Sequence, residues 1–132
     1  MSQENVEVVE RAVEALNARD IEGYLGFCTE DIRLRTPLAP VAGVYEGPEG
    51  IRRFWEDIAD AAPDFRIEVE RIEALSAERV LTFMRVTATG RVSGVPSVTE
   101  TANVYELAAG KIRRIDVFSD RAEALGAVGL RE

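Results

Sequence analysis

Two carboxylates lie inside strand-like sequence: Glu100 in Val98-Thr99-Glu100-Thr101-Ala102 and Asp116 in Arg114-Ile115-Asp116-Val117-Phe118. A carboxylate held in an apolar site has a raised pKa and can exchange a proton near neutral pH. Each also has a plain reading as a solvated or ion-paired surface group. For Glu100 the choice turns on strand parity, which it shares with Ala102 and Val104. Arg85 interrupts an apolar strand; it can pair with Glu100 or Asp116, or anchor an anionic ligand. Histidine is absent. That removes the commonest general base and a common metal ligand, and with them Ser-His-Asp and Cys-His mechanisms. Acid–base work is left to carboxylates, Tyr, Lys or the lone Cys28. Cys28 follows Tyr24-Leu25-Gly26-Phe27 and reads as a buried small hydrophobe. Gly47, Gly50, Gly90 and Gly94 lack the strand–turn–helix setting of a phosphate loop, and no metal-ligand spacing occurs. The expectation is no metal and no cofactor.

The aromatic residues suggest a pocket. Val44-Tyr45-Glu46-Gly47-Pro48 feeds a helix that carries Phe54-Trp55. Trp55, Tyr24 and Tyr105 each combine a large apolar body with a polar tip that needs a partner when buried. With Tyr45 and Phe118 they can converge on one space, to which Thr36 and Arg85 are candidate polar contributors. Phe27 and Phe54 read as core.

The positioning elements follow from periodicity. Val6, Val9, Val13 and Leu16 predict a helix over 4–18, with Ser2 as N-cap and Asn5 in the capping-box position. Asp20 caps a short helix over Ile21 to Cys28, and Thr29-Glu30-Asp31 reads as a turn. Ile32, Leu34 and Thr36 alternate as a half-buried strand. Two prolines make 37–47 a loop or irregular edge. Pro48 opens a helix to Ala61 with Ile51, Phe54, Trp55 and Ile58 on one stripe. Phe65, Ile67 and Val69 form a strand that ends or bulges near Arg71. Val80–Thr89 is apolar on both faces (Val80, Met84, Val86 against Leu81, Phe83), so one face meets helices and the other is free for a partner subunit. Gly90–Pro96 is a connection. Val98–Leu107 and Ile112–Phe118 are strands about an Ala108–Lys111 turn, and Asp120 caps a helix over Arg121–Val128. Helices first and consecutive strands later predict α+β: a curved antiparallel sheet wrapped on N-terminal helices into a cone with a mouth.

Composition sets the class. The 132 residues are 46% hydrophobic and 30% charged, with 16 Lys+Arg against 24 Asp+Glu for a net charge of −8. This fits one globular domain over 1–132. The acidity argues against nucleic acid and anionic membrane surfaces as partners. One cysteine permits no intrachain disulfide and fits a cytoplasmic location. The first residues lack the basic and apolar regions of a secretory leader.

The order of Val9-Glu10-Arg11-Ala12-Val13-Glu14-Ala15-Leu16-Asn17 with Asp20, Tyr45-Glu46-Gly47 through Phe54-Trp55, Pro63-Asp64-Phe65, and Gly110-Lys111-Ile112 before Phe118 and Asp120 resembles SnoaL-like proteins of the nuclear-transport-factor-2-like superfamily. The resemblance covers nearly the whole chain. It implies a cystatin-like cone, and a range of activities from isomerases, polyketide cyclases and epoxide hydrolases to non-catalytic binding domains. The resemblance to ketosteroid isomerases places their base at Thr36, their helix-borne tyrosine at Ala12 and their protonated aspartate near Ala102, so those roles are empty. The cyclase and hydrolase aspartate falls about one residue from Asp116.

Three functions are compatible with these features. The first is a cytoplasmic, homodimeric domain, paired through its sheet face, that binds a small apolar or aromatic molecule. The second is a cofactor-free isomerase, cyclase or epoxide hydrolase using Asp116 or Glu100. The third is a protein-interaction module.

Overall fold

The computed structural model describes residues 2–36, 44–89 and 94–127. The elements run α1 (Ser2–Asn17), α2 (Ile21–Leu25), β1 (Cys28–Arg35), β2 (Val44–Glu46), α3 (Gly47–Ala61), β3 (Arg66–Ala74), β4 (Arg79–Thr89), β5 (Pro96–Ala108), β6 (Lys111–Phe118) and α4 (Arg121–Ala127). The six strands form one curved, unclosed sheet in the order β2-β1-β6-β5-β4-β3. The α+β expectation holds. The neighbouring pairs are antiparallel except β1 and β6, which run parallel.

The inner sheet face is covered by α1, α2 and α3. Val9, Val13 and Leu16 of α1 pack there with Ile51 and Phe54 of α3 and with Ile32, Leu34, Val80, Met84, Tyr105 and Ile115 of the sheet. Ile51 is fully buried, a burial that contributes about 1.5–3 kcal/mol. The outer face carries a second cluster. Leu81, Phe83, Ala102 and Val104 pack there against Ala124 and Leu125 of α4. The doubly apolar β4 is thus covered outside by the chain's own last helix. Asp120 caps that helix as expected, its Oδ1 accepting from Ala122 N at 2.8 Å.

Several local expectations are corrected. Ser2 lies inside α1, and Asn5, in place of a capping box, is buried and donates to the Ala77 carbonyl at 2.7 Å. The second helix ends at Leu25, because Cys28 already pairs with Ile112 of β6 and the Ile112 N–H bonds the Phe27 carbonyl at 2.8 Å. The expected turn at Thr29–Asp31 lies within β1, where the register with β6 shifts between Cys28 and Arg33. Of 37–47, expected as a loop or irregular edge, Val44–Glu46 form an edge strand on β1, and 37–43 lie outside the described residues. β5 starts at Pro96, where a strand tolerates proline; 90–93 and Val128 lie outside the description. The bulge near Arg71 is present as a register shift between Val69 and Arg71.

The end of α1 sets the position of β3. Asn17 Nδ2 donates to the Ile67 carbonyl at 2.9 Å, and Ile67 N–H donates to Asn17 Oδ1 at 2.8 Å. Arg19, held at a left-handed φ of 63°, donates to the carbonyls of Pro63 (2.9 Å) and Phe65 (2.5 Å) and lies 3.8 Å from the Phe65 ring centroid. Removing Asn17 leaves two part-buried backbone groups unmatched. Asn17→Ala is therefore expected to cost about 1–3 kcal/mol and to lower the thermal midpoint by several degrees. Calorimetry showing an unchanged midpoint contradicts the clasp.

Candidate functional site

Between the helices and the inner sheet face lies a cavity of about 70 Å³. Val13 and Leu16 of α1, Tyr24 of α2, Phe54 and Trp55 of α3 and inward residues of β1, β3, β4, β5 and β6 line it. Trp55, Val86 and Val117 are only partly buried and mark its mouth. Among the described residues, no lining side chain is charged at neutral pH.

One wall is aromatic. The Tyr24 and Trp55 rings meet edge to face at 6.1 Å, Phe54 and Trp55 at 5.0 Å, and Trp55 and Phe65 at 5.8 Å. Such pairs hold rings more tightly than their area alone would. The i and i+1 spacing of Phe54 and Trp55 sends Phe54 into the core and leaves Trp55 at the cavity edge. Tyr45 packs on Phe54 at 5.0 Å and does not line the cavity.

The opposite wall is polar. Thr101, Asn103 and Tyr105 of β5 form it with Thr36, which follows β1; Thr82 of β4 is buried on the same sheet face and does not line the cavity. Asn103 Nδ2 donates to the Tyr105 hydroxyl at 3.4 Å and contacts Met84 Sδ at 3.2 Å. Of the seven buried side-chain polar atoms without a hydrogen-bond partner among the described residues, Asn103 Oδ1 and Trp55 Nε1 belong to cavity-lining residues and Thr82 Oγ1 lies on the same sheet face, while Asp116 Oδ1, Arg85 Nε, Arg121 Nε and Thr29 Oγ1 lie elsewhere. The Thr82 hydroxyl stands beside Tyr105, and the Trp55 N–H beside the Tyr24 hydroxyl, each outside hydrogen-bonding geometry. Unmatched buried polar atoms are costly and call for a reason.

The surroundings keep the titratable groups neutral. Burial pushes Tyr105 up to about 12 and Tyr24 well above the usual phenol range, with Cys28 and Tyr105 adding to the Tyr24 shift. Burial likewise pushes the Cys28 thiol up to about 12. These groups are suited to hydrogen bonding and unsuited to proton abstraction near neutral pH.

The proposed carboxylates are elsewhere. Glu100 pairs in register with Arg85 across β4–β5, and its parity with Ala102 and Val104 is that of the outer face. There Arg85 lies 3.3 Å from Glu70 and 3.4 Å from Glu100, and Arg121 lies 2.5 Å from Glu70. Asp116 also faces outward: Ile115 and Val117 line the cavity, and Asp116 pairs with Arg114 at 3.1 Å. Asp116 and Phe118 border an outer depression of about 420 Å³ with Arg35, Arg79, Val104, Glu106 and Arg114. Phe118 and Arg85, expected as pocket residues, lie outward with Glu100 and Asp116, and for Arg85 and the two carboxylates the ion-paired surface alternative describes the geometry, because successive strand residues point to opposite faces. Trp55, Tyr24, Thr36 and Tyr105 do come together. Of the positions taken from the isomerases, Thr36 lines the cavity, Ala12 is buried core and Ala102 faces outward. Among the described residues no group of acidic or sulfur ligands is placed to hold a metal ion.

Asn103, Thr82 and Thr101 were not singled out from sequence. The signal was available: Thr101 and Asn103 lie four and two residues before Tyr105 and share its face, as Thr82 shares the face of Met84.

An α+β cone with a neutral, aromatic and hydroxyl-lined cavity is the class defined by this fold and site. The model of the SnoaL-like domain matches residues 9–115, and the chain belongs to that family. A search of curated proteins finds no match. Among solved structures, a nuclear-transport-factor-2-like protein of unknown function from Burkholderia pseudomallei aligns with TM-score 0.79 and 21% identity over 98% of this chain and 99% of the other. A SnoaL-like protein from Jannaschia, described as a polyketide cyclase, aligns with TM-score 0.79 and 18% identity over 100% of this chain and 96% of the other. TerC, co-crystallised with polyporic acid, aligns with TM-score 0.78 and 19% identity over 95% and 98%. These superpositions show a shared fold and nothing further.

The raised thiol pKa gives a direct check. At pH 8 the buried Cys28 is a protonated thiol, so iodoacetamide is expected to leave the folded protein unmodified and to label the unfolded chain fully. Rapid labelling of the folded chain by mass spectrometry contradicts the burial.

Proposed function

We propose that this SnoaL-like domain binds a small, largely apolar or aromatic molecule in its cone and has no acid–base catalysis of its own. The observation that carries this reading is the cavity itself: an aromatic wall stands across from the unpartnered Asn103 Oδ1, and no charged side chain lines it among the described residues. The co-crystallisation of TerC with polyporic acid supports a small-molecule role for this fold. The catalytic alternative draws on the cyclase description of the Jannaschia protein. It is weakened by the outward placement of Asp116 and Glu100, which leaves the cone without a base of suitable pKa.

The wider reading is a single-domain cytoplasmic protein that pairs with a second copy through the outer sheet face and does not bind nucleic acid. Support comes from the single cysteine, the net charge of −8, and an outer face that holds Val104 and Phe118 beside both signs of charge. An interaction module using that same face is the remaining alternative, and a tight homodimer in sedimentation counts against it.

Trp55 is the one tryptophan, so its fluorescence reports occupancy without a label. A saturable emission change is expected with small neutral aromatics. Trp55→Leu, followed by calorimetry, is expected to weaken binding about tenfold, on the scale of a lost aromatic contact. Asp116→Asn and Glu100→Gln are expected to leave affinity within about twofold, since both are remote from the cavity. Strong loss of binding in either carboxylate variant favours the catalytic alternative.

A further inference from the structure

We infer that the cavity selects the uncharged form of a weakly acidic ring alcohol, whose hydroxyl donates to Asn103 Oδ1 while its ring lies against Trp55. This rests on the proposed reading of the cone as a small-molecule site.

Asn103 is 92% buried, being 8% exposed, and lines the cavity. Its amide nitrogen is engaged by Tyr105 and Met84, while its oxygen is an acceptor without a donor. The Trp55 N–H is the complementary case, a buried donor without an acceptor. A hydroxyl can satisfy both kinds of group, since it donates once and accepts twice. A carboxylate or phenolate cannot donate to Asn103, and among the described lining residues it meets no cation. Its desolvation is offset there only by neutral donors such as the Trp55 N–H, without a counter-charge.

Among the described residues of every element that lines the cavity, the titratable groups facing the ligand are Tyr24 on α2 and Tyr105 on β5, with Cys28 of β1 interacting with both. Burial keeps all three protonated through neutral pH. With no histidine in the chain, the cavity wall keeps one charge state across the range where many ring alcohols ionise. Any pH dependence of binding there reports the ligand's proton.

Size limits how the ligand enters. A buried ring of benzene size needs about 150 Å³, against about 70 Å³ here. The polar edge of the ring enters, and the remainder lies in the mouth between Trp55, Val86 and Val117. Met84, unbranched and adaptable, is the wall residue best able to yield.

The probe is 4-nitrophenol, which ionises near neutral pH and is yellow only as the phenolate; quenching of Trp55 reads its binding. The expected result is saturable quenching at least about tenfold tighter below the probe's pKa than above it, which is one unit of upward shift for the bound probe. Asn103→Leu is expected to weaken binding of the neutral form about tenfold, the effect of losing one buried hydrogen-bond partner, and to leave phenolate binding unchanged. Phenolate binding as tight as phenol binding overturns the inference, as does an unaffected Asn103→Leu. Nitrobenzene separates the two levels of the argument. If it binds as tightly as neutral 4-nitrophenol, hydroxyl selection fails and the ligand site stands. If neither compound quenches saturably, both fail. Should Asn103→Leu not fold by circular dichroism, the wild-type pH series and the nitrobenzene comparison still decide.

Discussion

β4 and β5 pair without a break from Arg79 opposite Glu106 to Thr89 opposite Pro96. That continuous register assigns every side chain of the central hairpin to one face or the other, because neighbouring residues in a strand point in opposite directions. Thr82, Met84, Thr101, Asn103 and Tyr105 turn inward as one set; Leu81, Phe83, Arg85, Glu100, Ala102 and Val104 turn outward as the other. The contents of the cone and the chemistry of the outer surface both descend from this division. A shift of one residue would exchange them, placing Glu100 and Arg85 in the cavity and exposing Asn103 and Tyr105.

The two faces are stabilised differently. Inside, burial of aliphatic and aromatic side chains dominates, and the polar atoms there are a local cost that a ligand or water can offset. Outside, the ion pairs of Arg85, Arg114 and Arg121 are substantially exposed. Solvent screening leaves such exposed pairs a minor share of the stability. The apolar contacts of Ala124 and Leu125 hold α4 more firmly, with the Arg121 guanidinium 4.6 Å from the Phe83 ring centroid adding a cation–π contact. The outer carboxylates are thus explained by their arginine partners, and the cavity by shape and hydrogen bonding.

Much of this architecture was legible in the residues. The alternation of Ile32, Leu34 and Thr36 marks β1; the stripe of Ile51, Phe54, Trp55 and Ile58 marks the buried side of α3; the break after Val69 marks a bulge. Long-range pairing was not legible. Thr29-Glu30-Asp31 has turn composition and joins β1 because Cys28 is held against Ile112, far along the chain. Val44–Glu46 is too short to announce itself and is a strand because β1 offers it an edge. The functional residues divide the same way. Aromatics declare themselves by type, which picks out Trp55, Tyr24 and Tyr105 as cavity residues but equally Tyr45 and Phe118, which lie off the cavity. The carboxylates drew attention by type as well, but their role depended on parity. Tyr105 and Glu100 lie five residues apart and cannot share a face in a regular strand. Carrying parity back from Tyr105 leads to Asn103 and Thr101.

A crystal structure of the protein with bound 4-nitrophenol is the most direct test of the division between faces. The account predicts the ring at the mouth of the cone against Trp55, with its hydroxyl within hydrogen-bonding distance of Asn103. A ligand seated instead on the outer face, against Asp116 and the arginines beside it, would contradict the account.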